Sequence, residues 1–146
     1  MKVEFLNELI VKPYRKTPVS VWDGRNWKMN DDFVLRITGR KICQLITVPK
    51  DDGKFCGWNG VTDFASVPVF FHRVLNPQSA LEASVPHDFL YRTGLVTKAQ
   101  ADKIFLLGMI ALKVPKWKRQ TMYYAVKMFG GSSYNHFSEE KLNIKL

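Results

Sequence analysis

The first half of the chain alternates short runs of β-favouring residues with turn-forming residues. Branched and aromatic side chains are concentrated at residues 19–22, 33–37 and 43–48. Turn signals separate these runs, at Asp23-Gly24, Asn30-Asp31 and Gly39. Short runs punctuated in this way are typical of strands joined by tight turns. We therefore predict an antiparallel β-meander over the first part of the chain.

Beyond residue 77 the spacing of apolar residues becomes helical. A first helix is predicted to end at Arg92, before Thr93-Gly94. Its start is left open between Ala80 and Pro86, because a proline is comfortable only in the first turn of a helix.

Two further helices carry clearer boundary signals. Thr97 with Gln100 three residues later forms the sequence of a capping box, and predicts a helix running to about Leu112. Pro115 is suited to the first position of a third helix. That helix should end near Phe129, because a glycine pair follows.

These elements predict an α+β fold, with an N-terminal antiparallel β-region packed against a helical hairpin and a third helix. The 146 residues and their 46% hydrophobic content suit one globular domain. Its β-rich part would cover about 1–78, its helical part about 80–131 and a tail 132–146. The apolar run at 104–112 is far shorter than the roughly 20 residues of a membrane span. It predicts a core helix buried on every side, and no transmembrane segment.

The chain is strongly basic, with 22 Lys and Arg against 13 Asp and Glu and a formal charge of +9. Such a charge favours polyanionic substrates or partners. The densest basic cluster, at 116–119, surrounds Trp117 and is typical of a solvated helix start. Trp117 is at helical spacing with Thr121 and Tyr124, which predicts core packing rather than base stacking and disfavours nucleic-acid binding.

Cysteine usage and the N-terminus indicate a reducing compartment. Cys43 and Cys56 are too few for a disulfide framework, and Glu4 and Glu8 interrupt any signal-peptide core. The cytoplasm is the predicted location.

Four polar residues share one stripe of the first predicted helix. They follow the spacing i, i+3, i+4 and i+7, and are Ser84, His87, Asp88 and Tyr91. A polar stripe normally faces water. The neighbouring second helix is so apolar that we expect this stripe to face protein.

The hairpin of the first two helices predicts a contact between His87 and Asp102. If the turn is centred near Leu95, the two residues lie at nearly the same height in an antiparallel pair. A carboxylate on one imidazole nitrogen would fix the tautomer and leave the other nitrogen able to act as a general base.

Asp88 is the predicted ligand of a divalent cation, calcium or magnesium. Near a helix start the dipole would keep it ionised, and Asp63 or loop carbonyls could complete the coordination. Structural alternatives remain open at this point. His87 with Asp102 could be a purely structural pair, Asp102 could only bridge Lys98 one turn earlier, and Asp88 could be an N-terminal helix carboxylate.

The segment 62–68 is the second dense polar stretch and would line the site through Thr62 and Ser66. Asp63 and Ser66 most commonly cap backbone amides in a turn. Ser66 could act as a nucleophile with His87 as base, but no strand–turn–helix elbow surrounds it, which disfavours that role.

Several separated motifs carry a family resemblance. They are TDFASVP at 62–68, HDFLYRTG at 87–94, Ala101-Asp102 with Phe105, and a closing helix with Trp117, Tyr123, Val126 and Phe129-Gly130. Over roughly residues 44–130 the chain resembles a phage-encoded family, domain of unknown function 1353. The resemblance implies a bacteriophage or prophage origin and assigns no activity. The chain departs from the family by a longer loop before Thr62 and by Pro86 directly before His87.

HDFLY also resembles the helix of secretory-type phospholipases. That resemblance implies His87 as general base, Asp88 as calcium ligand, Tyr91 as support and Asp102 as the residue that orients the histidine. The chain lacks the disulfides of those enzymes, and its glycine-bearing loop at 57–60 is only loosely similar to a calcium loop.

Two functions follow as hypotheses. The first is a phage-encoded hydrolase, metal-assisted through Asp88, in which His87 activates water. The alternative is a non-enzymatic virion or tail-associated protein whose partners are other virion proteins and whose polar cluster only holds the helices to the β-region. Both place the protein in the host cytoplasm during infection, and the second also in the particle.

Overall fold

The computed structural model describes residues 1–14, 26–51, 58–62 and 80–136. Its fold is α+β, as predicted, with antiparallel sheets in the N-terminal part and helices in the C-terminal part. The strands are β1 (Lys2–Phe5), β2 (Val11–Tyr14), β3 (Asn26–Met29), β4 (Phe33–Thr38), β5 (Cys43–Val48) and β6 (Val61–Thr62). The helices are α1 (Leu81–Thr93), α2 (Lys98–Ala111) and α3 (Lys116–Phe129), followed by a 3₁₀ turn at Gly130–Ser133.

The described strands form two three-stranded antiparallel sheets rather than one meander. Their orders are β1-β4-β5 and β2-β3-β6. The β4–β5 hairpin was predicted and pairs Phe33 with Val48. A simple meander is wrong, because β1 pairs with β4, bringing Val3 opposite Ile37. The strand expected at residues 19–22 lies outside the described residues.

The alternation of β4 directs one face of its sheet into the core. Phe33, Leu35 and Ile37 are fully buried, as the two-residue period of a strand requires. They share one apolar cluster with Phe89 and Leu90 of α1. Helix α2 contacts α1, α3 and β1, and so holds the two helical neighbours and the first sheet together.

Helix α1 begins at Leu81, so Pro86 lies in its interior and not in its first turn. Proline has no N–H and leaves one helical carbonyl without its usual donor. Val85 and Pro86 are both buried, and we attribute the tolerance of this defect to their packing. Asp88 is therefore two turns into the helix, beyond the reach of the N-terminal dipole that the sequence analysis invoked. That part of the expectation is wrong.

The boundaries of α2 and α3 were predicted to within about one residue. The Gln100 amide donates to Thr97 Oγ1 at 3.3 Å, and the Thr97 amide donates to Gln100 Oε1 at 2.9 Å, which completes the capping box. Helix α3 begins directly after Pro115.

The apolar stretch at the end of α2 is not buried on every side. Met109 is buried, whereas Ile110 is 45% exposed and Ala111 is also exposed. The contacts of α2 with α1, α3 and β1 leave this side of its last turn facing solvent. Within the described residues, no helix combines the length and the hydropathy that a membrane crossing requires.

The core face of α3 is opposite to the one predicted. Trp117 and Tyr124 are 61% and 55% exposed, while Met122, Ala125 and Val126 are buried. Both stripes have helical spacing, and only the second packs on the rest of the protein. The expected core packing of Trp117 is therefore wrong.

The chain continues to pack against α1 after α3 ends, in residues that the sequence suggested were a tail. Tyr134 is buried and its hydroxyl donates to the Val96 carbonyl at 2.7 Å. The Asn135 amide donates to the Tyr91 carbonyl at 2.8 Å.

The close crossing of α1 and α2 yields a first prediction. A Cβ at Gly108 would lie 2.9 Å from Ala83 Cβ, so Gly108→Ala must push the helices apart. We expect a loss of about 1–2 kcal/mol in the free energy of unfolding, because overpacking outweighs the gain in helix propensity. Urea unfolding followed by circular dichroism measures it.

The exchanged pair Ala83→Gly with Gly108→Ala is the control, because it restores the missing space. The double variant should be more stable than the sum of the two single changes. Strictly additive effects would show that these two residues do not touch.

Candidate functional site

Asp102, on α2, is the shared acceptor of a buried hydrogen-bond network. Its side chain is 3% exposed. Oδ1 lies 3.2 Å from His87 Nε2 and accepts a hydrogen bond from the Tyr91 hydroxyl at 2.5 Å. Oδ2 accepts from Lys98 Nζ at 2.9 Å. One carboxylate thus binds three donors.

The contact between His87 and Asp102 is the one that the hairpin geometry predicted. His87 and Tyr91 are one turn apart on α1, so both point at the same oxygen across the seam with α2. The bridge to Lys98, which the sequence analysis set against this contact, is also present. A carboxylate has two oxygens, and each interaction uses a different one.

The His87 imidazole is enclosed by aromatic rings. His87 is 2% exposed, and its ring centroid lies 4.0 Å from that of Tyr91 and 4.8 Å from that of Phe105. Burial lowers the pKa of His87, and this effect outweighs the opposing influence of the Asp102 carboxylate. The imidazole is therefore neutral at pH 7.

The protonation of Asp102 decides the tautomer of His87. Burial raises the pKa of Asp102, but the hydrogen bonds from His87, Tyr91 and Lys98 together lower it by more. The carboxylate is ionised, so Nε2 of the neutral imidazole must carry the proton and donate. The lone pair is then on Nδ1, which has no hydrogen-bond partner among the described residues. A neutral imidazole in this state can accept a proton at Nδ1.

Tyr91 is held in place from two sides. Burial, followed by its hydrogen bond to Asp102, raises the pKa of the phenol, so the hydroxyl stays protonated and donates. The ring of Tyr134 packs edge-on against the ring of Tyr91, with 5.6 Å between the ring centroids. Gly130 leaves room for the hydroxyl, because a Cβ there would lie 2.7 Å from it.

Lys98 has a wider role than the sequence suggested. Its ammonium also donates to the carbonyls of Val126 and Lys127, at 3.0 Å and 3.1 Å. These carbonyls belong to the last turn of α3, where a cation offsets the helix dipole. The spacing of Lys98 and Asp102 was visible in the sequence. The contact with α3 is tertiary, and nothing in the local sequence signals it.

Asp88 and Thr62 tie the second sheet to α1. The Thr62 hydroxyl donates to Asp88 Oδ2, and both residues are buried. One turn later Arg92 Nη1 donates to the Val61 carbonyl at 2.7 Å. Strand β6 is thereby fixed to α1 immediately before residue 63.

The remaining predicted site residues are not part of the network. Ser84 is buried on the same stripe, but its hydroxyl donates to the Ala80 carbonyl at 2.9 Å. Asp63 and Ser66 lie outside the described residues. Among the residues that the structure describes, no group of three or more His, Cys, Asp or Glu side chains could hold a metal ion. The described part of the chain therefore supplies one possible ligand for a cation, Asp88, but not a complete binding site.

Comparison with known proteins places the chain in a family. The model of the family described as "Protein of unknown function (DUF1353)" matches residues 27–126, which is more than half of the chain. The chain therefore belongs to this family. The match begins earlier than the resemblance noted in the sequence, and includes most of β3, all of α1 and α2, and α3 as far as residue 126.

One curated relative is similar over part of its length. The chain is 37% identical over 71 residues to "Uncharacterized protein y4jT" of Sinorhizobium fredii (strain NBRC 101917 / NGR234). The similarity covers 47% of this chain and 21% of that protein, so the chain spans about a fifth of the relative it matches. No solved structure matches the chain.

The adjacent glycines after α3 give a matched test of the Tyr91 contact. Gly130→Ala places a methyl group against the Tyr91 hydroxyl, whereas a Cβ at Gly131 meets nothing within 4 Å. We expect Gly130→Ala to reduce the free energy of unfolding by about 1–3 kcal/mol. Gly131→Ala should leave it unchanged within about 0.5 kcal/mol. Equal effects of both changes in chemical denaturation would refute the contact.

The charges around His87 predict opposite shifts of its pKa in two variants. Asp102 raises this pKa and Lys98 lowers it. Asp102→Asn should therefore lower the pKa of His87 further, and Lys98→Met should raise it. NMR titration of the His87 ring measures the pKa in both variants. The His87 signal is assigned as the one that is absent from the spectrum of His87→Gln. Shifts of the same sign would contradict the arrangement.

The same lowered pKa has a consequence for stability. The unfolded chain takes up a proton near the ordinary histidine pKa of 6.5, whereas native His87 does so only at a lower pH. The free energy of unfolding should therefore fall as pH drops from 6.5 toward the native pKa. Part of this dependence should vanish in His87→Gln.

Proposed function

We propose that this DUF1353 protein is a hydrolase in which His87 is the general base. The observation that carries the proposal is the convergence of His87 Nε2 and the Tyr91 hydroxyl on one oxygen of Asp102. This arrangement orients the imidazole, fixes its tautomer and leaves Nδ1 as a proton acceptor. The resemblance of HDFLY to the phospholipase helix supports the same roles for His87, Tyr91 and Asp102.

The chemistry requires one proton to move twice. Nδ1 removes a proton from water as the water oxygen attacks the carbonyl carbon of an ester or amide. The Asp102 carboxylate stabilises the imidazolium that forms. When the bond to the leaving group breaks, the imidazolium returns the proton to the departing oxygen or nitrogen. Tyr91, which stays protonated, keeps the carboxylate in position throughout.

Asp88 is the residue proposed to hold a divalent cation, calcium or magnesium. It follows His87 directly in α1. Its Oδ2 accepts a hydrogen bond from the neutral hydroxyl of Thr62, and such a bond is compatible with metal ligation. The other ligands would come from outside the described residues, with Asp63 as the first candidate. A cation at this position would supply positive charge for the developing oxyanion.

A non-enzymatic role is the second candidate, and the burial of the network favours it. His87, Asp88 and Asp102 are only 2–3% exposed, which suits a cluster that locks α1 to α2 and β6. In this role the protein would be a virion or tail-associated component of a phage, assembled in the host cytoplasm. The order of its motifs supports a phage origin.

Hydrolysis assays separate these candidates. Purified protein is incubated with carboxylic ester, amide and phosphoester substrates, with calcium, magnesium or chelator. We expect hydrolysis, reduced about 10²–10⁴-fold in His87→Gln by loss of the base. The rate should fall at acid pH only below 6.5, because the base must be neutral and burial lowers its pKa.

Two serine variants serve as controls. Ser84→Ala alters a buried hydroxyl on the same stripe that bonds only to a helix carbonyl, so activity should persist. Ser66→Ala tests the nucleophile that the sequence left open, and should also retain activity. Hydrolysis by His87→Gln at the wild-type rate would remove the base assignment. No hydrolysis of any substrate, with a marked loss of stability in Asp102→Asn, would support the structural role.

A further inference from the structure

Helix α3 exposes a line of large apolar side chains on the face opposite its core contacts. Trp117, Tyr124 and Met128 are 61%, 55% and 71% exposed. At 100° per residue the three lie within roughly 40° of one another, along about 16 Å of helix. Single exposed apolar residues are ordinary, whereas several large ones on one face of a helix are typical of an interaction surface. We call Trp117, Tyr124 and Met128 the α3 stripe.

The charged side chains of α3 itself are all positive. Helix α3 contains four basic residues and no acidic one, in the sequence KWKRQTMYYAVKMF. Lys116 and Lys127 are exposed and lie together on one flank of the stripe, about a quarter-turn from it. Lys113, also exposed, adds a further charge just before the helix. An apolar line bordered by lysines is complementary to a surface that is apolar inside and anionic outside.

We propose that the α3 stripe docks on the surface of a bilayer that contains anionic phospholipids. Tryptophan and tyrosine rings prefer the headgroup region, where an apolar body and a polar tip are both accommodated. Helices with a basic face and an exposed apolar face lie in the plane of such interfaces. Lys116 and Lys127 would contact lipid phosphates while the α3 stripe enters the headgroup layer.

The composition of the α3 stripe favours lipid over two other possible occupants, single-stranded nucleic acid and a second copy of the chain. Single-stranded nucleic acid is bound by rings in a basic groove, with arginine contributing. Here the most exposed member is Met128, and Arg119 donates to the Val114 carbonyl. A second copy of the chain would bring two equally basic helices together across a twofold axis, which like-charge repulsion opposes.

Vesicle co-sedimentation tests the proposal independently of the hydrolase. Vesicles of ether-linked phosphatidylcholine, with or without ether-linked phosphatidylserine, contain no carboxylic ester for the protein to cleave. We expect binding to the anionic vesicles only, weakening as sodium chloride rises. Trp117→Ala with Met128→Ala should reduce the affinity at least tenfold. Lys116→Gln with Lys127→Gln should reduce it roughly 25-fold, at about fivefold for each lysine.

Matched controls come from the β-region. Leu45→Ala removes an apolar side chain that is 58% exposed on β5, and should not affect binding. Lys12→Gln with Lys41→Gln removes two exposed lysines away from α3, and should have a much smaller effect than the α3 pair. Circular dichroism confirms that each variant is folded.

Three results would overturn the proposal. The first is failure of the wild-type chain to bind anionic vesicles, or equal binding by the stripe variant. The second is tighter binding of a single-stranded oligonucleotide than of vesicles at the same salt concentration, lost in the stripe variant, which would assign the surface to nucleic acid. The third is a dimer in solution that Trp117→Ala dissociates, which would assign it to a second copy.

Discussion

The carboxylate of Asp102 is the group on which the helical half of the structure depends. Moving an ionised carboxylate out of water costs several kcal/mol, so its burial is possible only with donors on both oxygens. His87 and Tyr91 supply two of them from α1, and Lys98 supplies the third from α2 itself. Because the donors must be in place for the charge to be tolerated, this one residue fixes the rotation of α1 against α2.

Lys98 extends the constraint to α3. Its ammonium bonds simultaneously to Asp102 Oδ2 and to two carbonyls in the last turn of α3. Removing Asp102 would therefore leave a partly buried cation with carbonyl partners alone. The interaction that would orient a general base is also the one that joins three helices, which is why stability and activity must be measured together in every site variant.

Local signals in the sequence were enough to predict the hairpin of α1 and α2. Thr97 and Gln100 mark the start of α2 because a capping box uses only neighbouring atoms, and counting residues from the turn placed His87 level with Asp102. Pro86 left the start of α1 open, because its cost to a helix interior is local while the packing of Val85 that accompanies it is tertiary.

The elements that the sequence did not reveal depend on distant partners. Strand β1 pairs with β4 across about thirty intervening residues, and no periodicity within four residues encodes that pairing. Helix α3 has two apolar stripes at helical spacing, and the sequence does not say which one packs. The helical spacing of Trp117 with Thr121 and Tyr124 predicted that the aromatic stripe would pack in the core. The structure buries Met122, Ala125 and Val126 instead.

The small residues Ala125 and Val126 near the end of the buried stripe have a role that connects the site to the surface. The last turn of α3 must approach α2 closely enough for Lys98 to reach the carbonyls of Val126 and Lys127. Small side chains at the interface permit that approach, whereas Trp117 and Tyr124 would hold the helices apart. The rings of Trp117 and Tyr124 therefore face solvent when the last turn of α3 packs on α2, the packing in which Lys98 reaches both α3 and Asp102. Lys98 therefore links the last turn of α3 directly to the carboxylate that contacts His87.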